Sequence, residues 1–360
     1  MASVSLHPWW LHQTRLSNEA VRLSQTVTIV RNLEGLPFPM RATAAQLGTV
    51  TQQVREALGE VENFKAEWIE CPWNAASHRE RILLKSLAGL EQPCDETVVW
   101  YHSKNFIHIV VNDGEHIRFH LTSANGSLKN TWTMLDTLEE RLGQKLAYAF
   151  DPKSGFATSN PQVAGMGLDA QILLHLPALC FDRQLPKLIK AASEMNLKLE
   201  PLRVSDDKAI GHLFLLFNTA NSGTDEKSLL AHIEDVAEKI IAEERRVRKM
   251  MITEHADFTR DSLGRSLGLL GNCGELTFEE ARHLLSIVVM AVDEGILPTQ
   301  KRALLLRLWC SLRHARLCEF CQESIPSSDE DRARAAIVKA TMAQVLKQPT
   351  AAKRKVSRAV

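Results

Sequence analysis

The chain has 360 residues, 45% of them hydrophobic and 24% charged, with 43 Lys and Arg balanced by 43 Asp and Glu. That length supports one large domain or two with a full core, and the charge balance gives no global field for nucleic acid or a membrane surface. No window approaches twenty uninterrupted apolar residues, and residues 1–15 lack the sustained apolar stretch of a secretion signal. Seven cysteines at irregular spacing fit reduced thiols better than a disulfide framework. The expectation is a cytoplasmic protein without nucleic-acid or membrane partners.

In chain order, Leu47, Val50, Val54, Leu58 and Val61 recur at spacings of three and four and predict an amphipathic helix over 45–64. Thr97–Tyr101 and Phe106–Val111 read as strands around a polar turn at 102–105, with Ile117–Leu121 adding to the same antiparallel sheet. Helical periodicity returns over Leu128–Leu146. The apolar run Ala170–Leu179 predicts a central strand, followed by a helix over Gln184–Met195 and a strand over Ile210–Phe217. Thr224 is the predicted N-cap of a long helix with acids in its first turn and a stripe of Leu229, Ile233, Val236 and Ile240. The end of that helix, Glu243–Lys249, reads as a solvated charge run.

From about 255 the patterns are purely helical, with turns at Gly271-Asn272, Gly295 and Pro298. The predicted organisation is an N-terminal segment 1–20, an α+β domain 21–252, a small all-helical domain 255–345, and a basic tail 346–360 expected to be disordered. Cys310, His314, Cys318 and Cys321 are all zinc-ligand types. On one helix, however, Cys310 and Cys318 would stand about 12 Å apart, so no metal site is expected.

Several strings carry a resemblance. Val30-Arg31-Asn32-Leu33 with Pro37-Phe38-Pro39, Asn112-Asp113-Gly114-Glu115-His116-Ile117-Arg118, Ala147-Tyr148-Ala149-Phe150-Asp151, Leu174-His175-Leu176-Pro177-Ala178-Leu179 and Arg265-Ser266-Leu267-Gly268 occur in one order between about residues 9 and 335. Together they resemble the bacterial protein-arginine kinase branch of the ATP:guanidino phosphotransferases. The resemblance implies an antiparallel sheet flanked by helices that holds ATP in a cleft, followed by a helical domain that binds phosphoarginine.

Placed residue by residue, the resemblance also implies altered chemistry. Phosphoryl transfer needs the triphosphate's charge cradled and the acceptor held in line. Of five positions where the family has phosphate-binding arginines, Arg118 is retained, whereas Thr26, Thr28, Asp169 and Glu200 occupy the others. The site's charge goes from about +5 to about −1. At about 1.5–3 kcal/mol per charge-assisted hydrogen bond, losing four removes on the order of 6–12 kcal/mol, comparable with a whole micromolar affinity of about 8 kcal/mol.

Gly114 and Ser205 stand where the family has glutamates facing the guanidinium, and Asn160 stands at its reactive-cysteine position. Asp113 and Glu115 are read either as cation holders at the cleft or as solvated loop carboxylates. Arg22, Arg203 and Lys208 are the cations near enough in sequence to compensate. In the helical domain, Asp331 and Arg334 keep part of a phosphoarginine motif; the alternative for Arg334 is a surface charge. The leading expectation is a regulatory or binding pseudokinase in protein quality control, with no confident cofactor. The alternatives are an active, divergent protein-arginine kinase using Mg-ATP, and a phosphoarginine-binding module. By resemblance, the expected partners are a small zinc-containing activator, Clp-type protease machinery and a second copy of the chain.

Overall fold

The computed structural model describes residues 20–61, 67–102, 107–124, 126–203, 209–219, 225–298, 302–312, 317 and 325–346. Two compact units divide the chain, Met1–Ala256 and Asp257–Val360. Residues 1–19 and 347–360, the bulk of the expected N-terminal segment and basic tail, lie outside the described residues.

In the first unit β1 (Arg22–Arg31), α1 (Ala44–Gly59), β2 (Trp68–Pro72), α2 (His78–Ala88), β3 (Val98–His102), β4 (Ile107–Asp113) and β5 (Glu115–Ser123) are followed by α3 (Leu128–Gly143). A two-stranded ribbon, β6 (Phe150–Asp151) and β7 (Gly155–Phe156), precedes β8 (Leu168–His175), α4 (Pro177–Phe181), α5 (Leu185–Glu194), β9 (Leu197–Arg203), β10 (Ala209–Asn218) and α6 (Glu226–Thr253). Eight strands form one sheet in the order β2-β3-β4-β5-β1-β8-β10-β9, and every neighbouring pair is antiparallel. The three predicted strands between 97 and 121 are β3, β4 and β5, paired consecutively as expected.

One face of the sheet is the core. Val27, Ile29, Phe119, Ala170 and Ile172 are almost fully buried there, as are Leu128, Leu135 and Leu142 of α3 and Ile233, Val236 and Ile240 of α6. α3 packs on β1 and β5, and α6 packs on β8 and β10. Burying a side chain of this size contributes about 1.5–3 kcal/mol, so the fully buried faces of α3 and α6 hold those helices in place.

Three local expectations are corrected. The apolar run 170–179 is not one strand: β8 ends at His175, and Pro177 opens α4 at a position where a missing N–H costs nothing. The cap of α6 is Asp225, which accepts the Ser228 N–H at 3.0 Å; Thr224 lies outside the described residues. The charge run 243–249 is not all solvated. Glu244 and Arg248 share the buried stripe with Ile240, Ile241 and Val247, because helical spacing puts them on one face. They pair at 2.7 Å with both side chains fully enclosed. Glu244 also accepts the N–H groups of Ala178 and Leu179, capping α4, and Arg248 donates to the His175 carbonyl.

The second unit contains α7 (Ala256–Asn272) from its second residue onward, α8 (Phe278–Asp293), α9 (Arg302–Cys310) and α10 (Glu330–Leu346). α8 is buried almost all round from Leu284 to Val292, as a central helix must be. It packs on α9, which packs on α10. Among the described residues, no helix is long and apolar enough to cross a membrane.

Candidate functional site

Directly paired residues of antiparallel strands project to the same face, so the register defines the face opposite the α3/α6 core. One rung crosses five strands: Tyr101, His108, His120, Thr28 and Asp169. The next rung carries Thr122, Thr26, Gln171, Phe217 and Lys198. On the other side of the first lie Val99, Val110, Arg118 and Val30. Four of the five phosphate positions implied by resemblance, Thr26, Thr28, Arg118 and Asp169, therefore form one contiguous patch. Glu200 does not join it: it is in register with Leu215 and Leu173. That places it two strands and four residues from Asp169, on the order of 16 Å. It pairs instead with Lys198 at 3.4 Å.

The patch is bonded internally. Thr28 Oγ1 lies 3.1 Å from His120 Nδ1, His120 Nε2 lies 3.2 Å from Thr122 Oγ1, and Thr122 Oγ1 lies 2.9 Å from Thr26 Oγ1. His108, 7% exposed, stacks beside Tyr101 and His120, and neither of its ring nitrogens has a hydrogen-bond partner. Burial pushes its pKa down to about 4. Burial, with the charges of His108 and Arg118, pushes His120 down to about 3. Both imidazoles are neutral at pH 7. Burial pushes the Asp169 carboxyl up to about 6, with Arg118 pulling it down and Glu91 adding to the rise.

Arg118 is already engaged. It donates to Asp113 Oδ2 at 2.5 Å and to the Gly89 carbonyl at 3.0 Å, while its buried Nε has no partner. Asp113 is itself buried and accepts the N–H groups of Glu91 and Gln92. Glu115 is buried as well, accepting from Asn32 Nδ2 at 2.6 Å and from the N–H groups of Ser159 and Asn160. Neither carboxylate is a solvated loop group. Their backbone donors come from segments distant in sequence, which spacing alone does not reveal.

The motif's other residues build the turn between β4 and β5. Asn112, in the left-handed region at φ 60°, donates to the Leu47 carbonyl and to Thr51 Oγ1. His116 Nδ1 accepts the Leu33 N–H, leaving Nε2–H for the Pro37 carbonyl. The side chains that persist around this turn are those that hold it together. Gly114 sits at φ +77°, and a Cβ added there would meet nothing within 4 Å.

Of the three compensating cations, Arg22 does not restore the patch. Arg22 is buried and paired with Glu234 and Glu238 of α6, so it serves the helix-covered side. Lys208, Ser205 and the side chain of Arg203 lie outside the described residues, as do His314, Cys318 and Cys321. Among the described residues, no three His, Cys, Asp or Glu side chains are placed to share a metal ion.

Arg334 is neither a surface charge nor a free phosphoryl clamp. It is 1% exposed and donates to the carbonyls of Leu312 and Leu276 and to Asp331 and Glu330. A guanidinium is enclosed only when its donors are met inside the protein, and the i,i+3 and i,i+4 acids together with two carbonyls do this. Sequence reading also passed over His108, His120, Gln171 and Glu91. The signal for the histidines was present in Ile107-His108-Ile109 and Phe119-His120-Leu121, where a polar residue inside an apolar strand marks the opposite face.

The large antiparallel sheet with helices packed on it is a fold this chain shares with solved guanidino kinases. Lombricine kinase superposes with a TM-score of 0.56 at 17% identity over 68% of this chain and 73% of that one. The duplicated taurocyamine kinase from Schistosoma mansoni with bound transition-state-analogue components gives 0.58 at 16%, over 89% of this chain and 50% of that one. In sequence, residues 49–247 match the ATP:guanido phosphotransferase C-terminal catalytic domain, and residues 257–353 match the protein-arginine kinase McsB C-terminal domain. The protein-arginine kinase of Clostridium novyi (strain NT) is 27% identical over 92% of this chain and 97% of its own length. That of Desulforamulus reducens is 28% identical over 92% and 94%. The chain belongs to the ATP:guanido phosphotransferase family, in its protein-arginine kinase branch.

Proposed function

We propose that this protein is a pseudokinase: it keeps the guanidino-kinase fold, does not bind ATP in the family's manner, and works as a binding or regulatory protein. The observation that carries this reading is the state of Arg118. Among the described residues at the patch, one arginine stands against three carboxylates, Asp113, Asp169 and Glu91, so their summed charge is about −2. A triphosphate entering there would meet a guanidinium already paired at 2.5 Å and a half-buried carboxylate one rung away. Each charge-assisted bond it lacks forgoes about 1.5–3 kcal/mol. Nothing at Gly114 reaches toward an acceptor guanidinium.

The test is incubation with γ-labelled ATP, Mg²⁺ and a denatured protein substrate, scored for acid-labile phosphoarginine. No label above background is the expected result. A second reading, an active divergent protein-arginine kinase, draws on the 27–28% identity to proteins of that name over nearly the whole chain. Phosphoarginine that disappears in Arg118→Ala would establish that reading instead. The third expectation, phosphoarginine capture through Arg334, loses its support because the guanidinium's donors are taken within the second unit.

A further inference from the structure

Away from the polar patch, α5 carries an apolar stripe that the sheet leaves partly open. Leu185, Leu188, Ile189 and Ala192 recur at i, i+3, i+4 and i+7, the spacing of a helix face that packs on a core. Met195 continues the stripe at the C-cap. The stripes of α3 and α6 are enclosed. In α5, Ala192 alone is buried, while Leu185 and Leu188 are half-buried, Ile189 is 37% exposed and Met195 39%. α5 packs on β9, the end strand of the sheet, so among the described residues no further strand reaches its outer flank. A stripe with this spacing and this little cover lacks one of the surfaces it is patterned for.

The occupant follows from where the chain enters the fold. β1 begins at Arg22, and the Val21 carbonyl accepts the His175 N–H at 2.8 Å. His175 ends β8, and from there α4 and a three-residue turn lead into Leu185. The start of α5 and the start of β1 therefore lie at the same end of the sheet. β9 is three strands from β1, about 14 Å across, and α5 with its C-cap runs about 15 Å along the edge. Residues 1–19 precede this point, and their bulkiest apolar members are Trp9 and Trp10, followed by Leu11 and Leu16. At about 3.3 Å per extended residue, the ten residues from Ala20 back to Trp10 reach about 33 Å, enough for the whole path. We infer that residues 9–16 dock on α5, with Trp9 and Trp10 laid against Leu188, Ile189 and Met195. The docked segment clasps the start of β1, the strand that carries Thr26 and Thr28, to the outer edge of the sheet. A tethered segment meets its site at an effective concentration of about millimolar, which favours it over a second copy of the chain. The two indoles supply large apolar surfaces of the kind the open stripe accepts.

The experiment places the photo-crosslinker p-benzoylphenylalanine at Ile189 of the full chain, in a mixture of isotopically light and heavy protein, and maps the adducts by mass spectrometry. The same group at Lys187, on the other side of α5, is the control. The assignment predicts that the probe at Ile189 joins residues 9–16 of its own molecule and that the probe at Lys187 does not. Trp9→Ser combined with Trp10→Ser should cut the yield severalfold. Thermal unfolding gives a second readout: that double variant and Ile189→Ser should each lower Tm, and all three changes together should lower it by less than the sum, because they remove one contact. Adducts that join light to heavy chains put a second copy on the stripe and overturn the assignment. So do adducts to another segment of the same chain, an absence of adducts, or an undiminished yield from the double variant. None of these results bears on nucleotide binding, so the pseudokinase reading stands or falls separately.

Discussion

At the scale of single residues, the face that carries Thr28, His108, His120 and Asp169 is a neutral-to-acidic surface, and its titration can be read out. His108 ordinarily titrates near 6.5 but is held at about 4 in the fold. Below pH 6.5 the unfolded chain takes a proton that the folded chain refuses, so stability is lost as pH falls from about 6.5 to about 4. The loss is on the order of 3 kcal/mol from this residue. His120 acts in the same direction; Asp169, with its raised pKa, acts in the opposite one. His108→Leu should therefore flatten the acid side of a urea-midpoint profile and leave neutral-pH stability unchanged or higher, since it removes two unmet nitrogens. A profile as steep as wild type would contradict the burial argument. Gly114 supplies a second check. Its φ of +77° is costly for any residue with a Cβ, so Gly114→Ala should lower stability by about 1 kcal/mol despite the open space around it. Gly114→Glu would carry the same penalty while restoring a carboxylate at the turn.

Among the elements, buried charge holds joints that apolar packing alone would leave loose. Glu244 and Arg248 tie α6 to the start of α4 through the Ala178 and Leu179 N–H groups. Glu244→Ala strands an enclosed guanidinium and should cost about 3–5 kcal/mol by chemical denaturation. Replacing both partners with Leu and Met should cost clearly less, because no unpaired charge remains. Equal losses would show that the cap on α4, and not the pair, carries the energy. In the second unit, Arg334→Ala should lower its unfolding midpoint by a comparable amount, because the Leu276 and Leu312 carbonyls lose their donor. These roles were the least legible part of the sequence. A charge run reads as solvated until the helix stripe that includes Ile240, Val247 and Met251 is shown to pass through it. By contrast, β3, β4 and β5 were legible because alternation and turn residues are local signals. The strand Leu197–Arg203 was not, because Lys198, Glu200 and Pro201 interrupt its apolar pattern and its ladder comes from β10.

For the whole molecule, the ordered strings between residues 30 and 270 made the fold readable, since each string holds a specific joint. Asn32 meets Glu115 and His116, His116 meets Leu33 and Pro37, and Arg31 meets Glu139. The site was only partly readable. Thr26, Thr28, Arg118 and Asp169 share one surface, but sequence counting could not show that Asp113 already occupies Arg118 or that Glu200 stands apart. Those depend on register and on backbone donors from residues 89–92. We propose that the fold survives here without a working nucleotide site. The most direct test of this is isothermal titration of Mg-ATP into the full-length protein at neutral pH. Our account predicts no saturable heat up to millimolar nucleotide; a micromolar dissociation constant would contradict it and put a working kinase in its place.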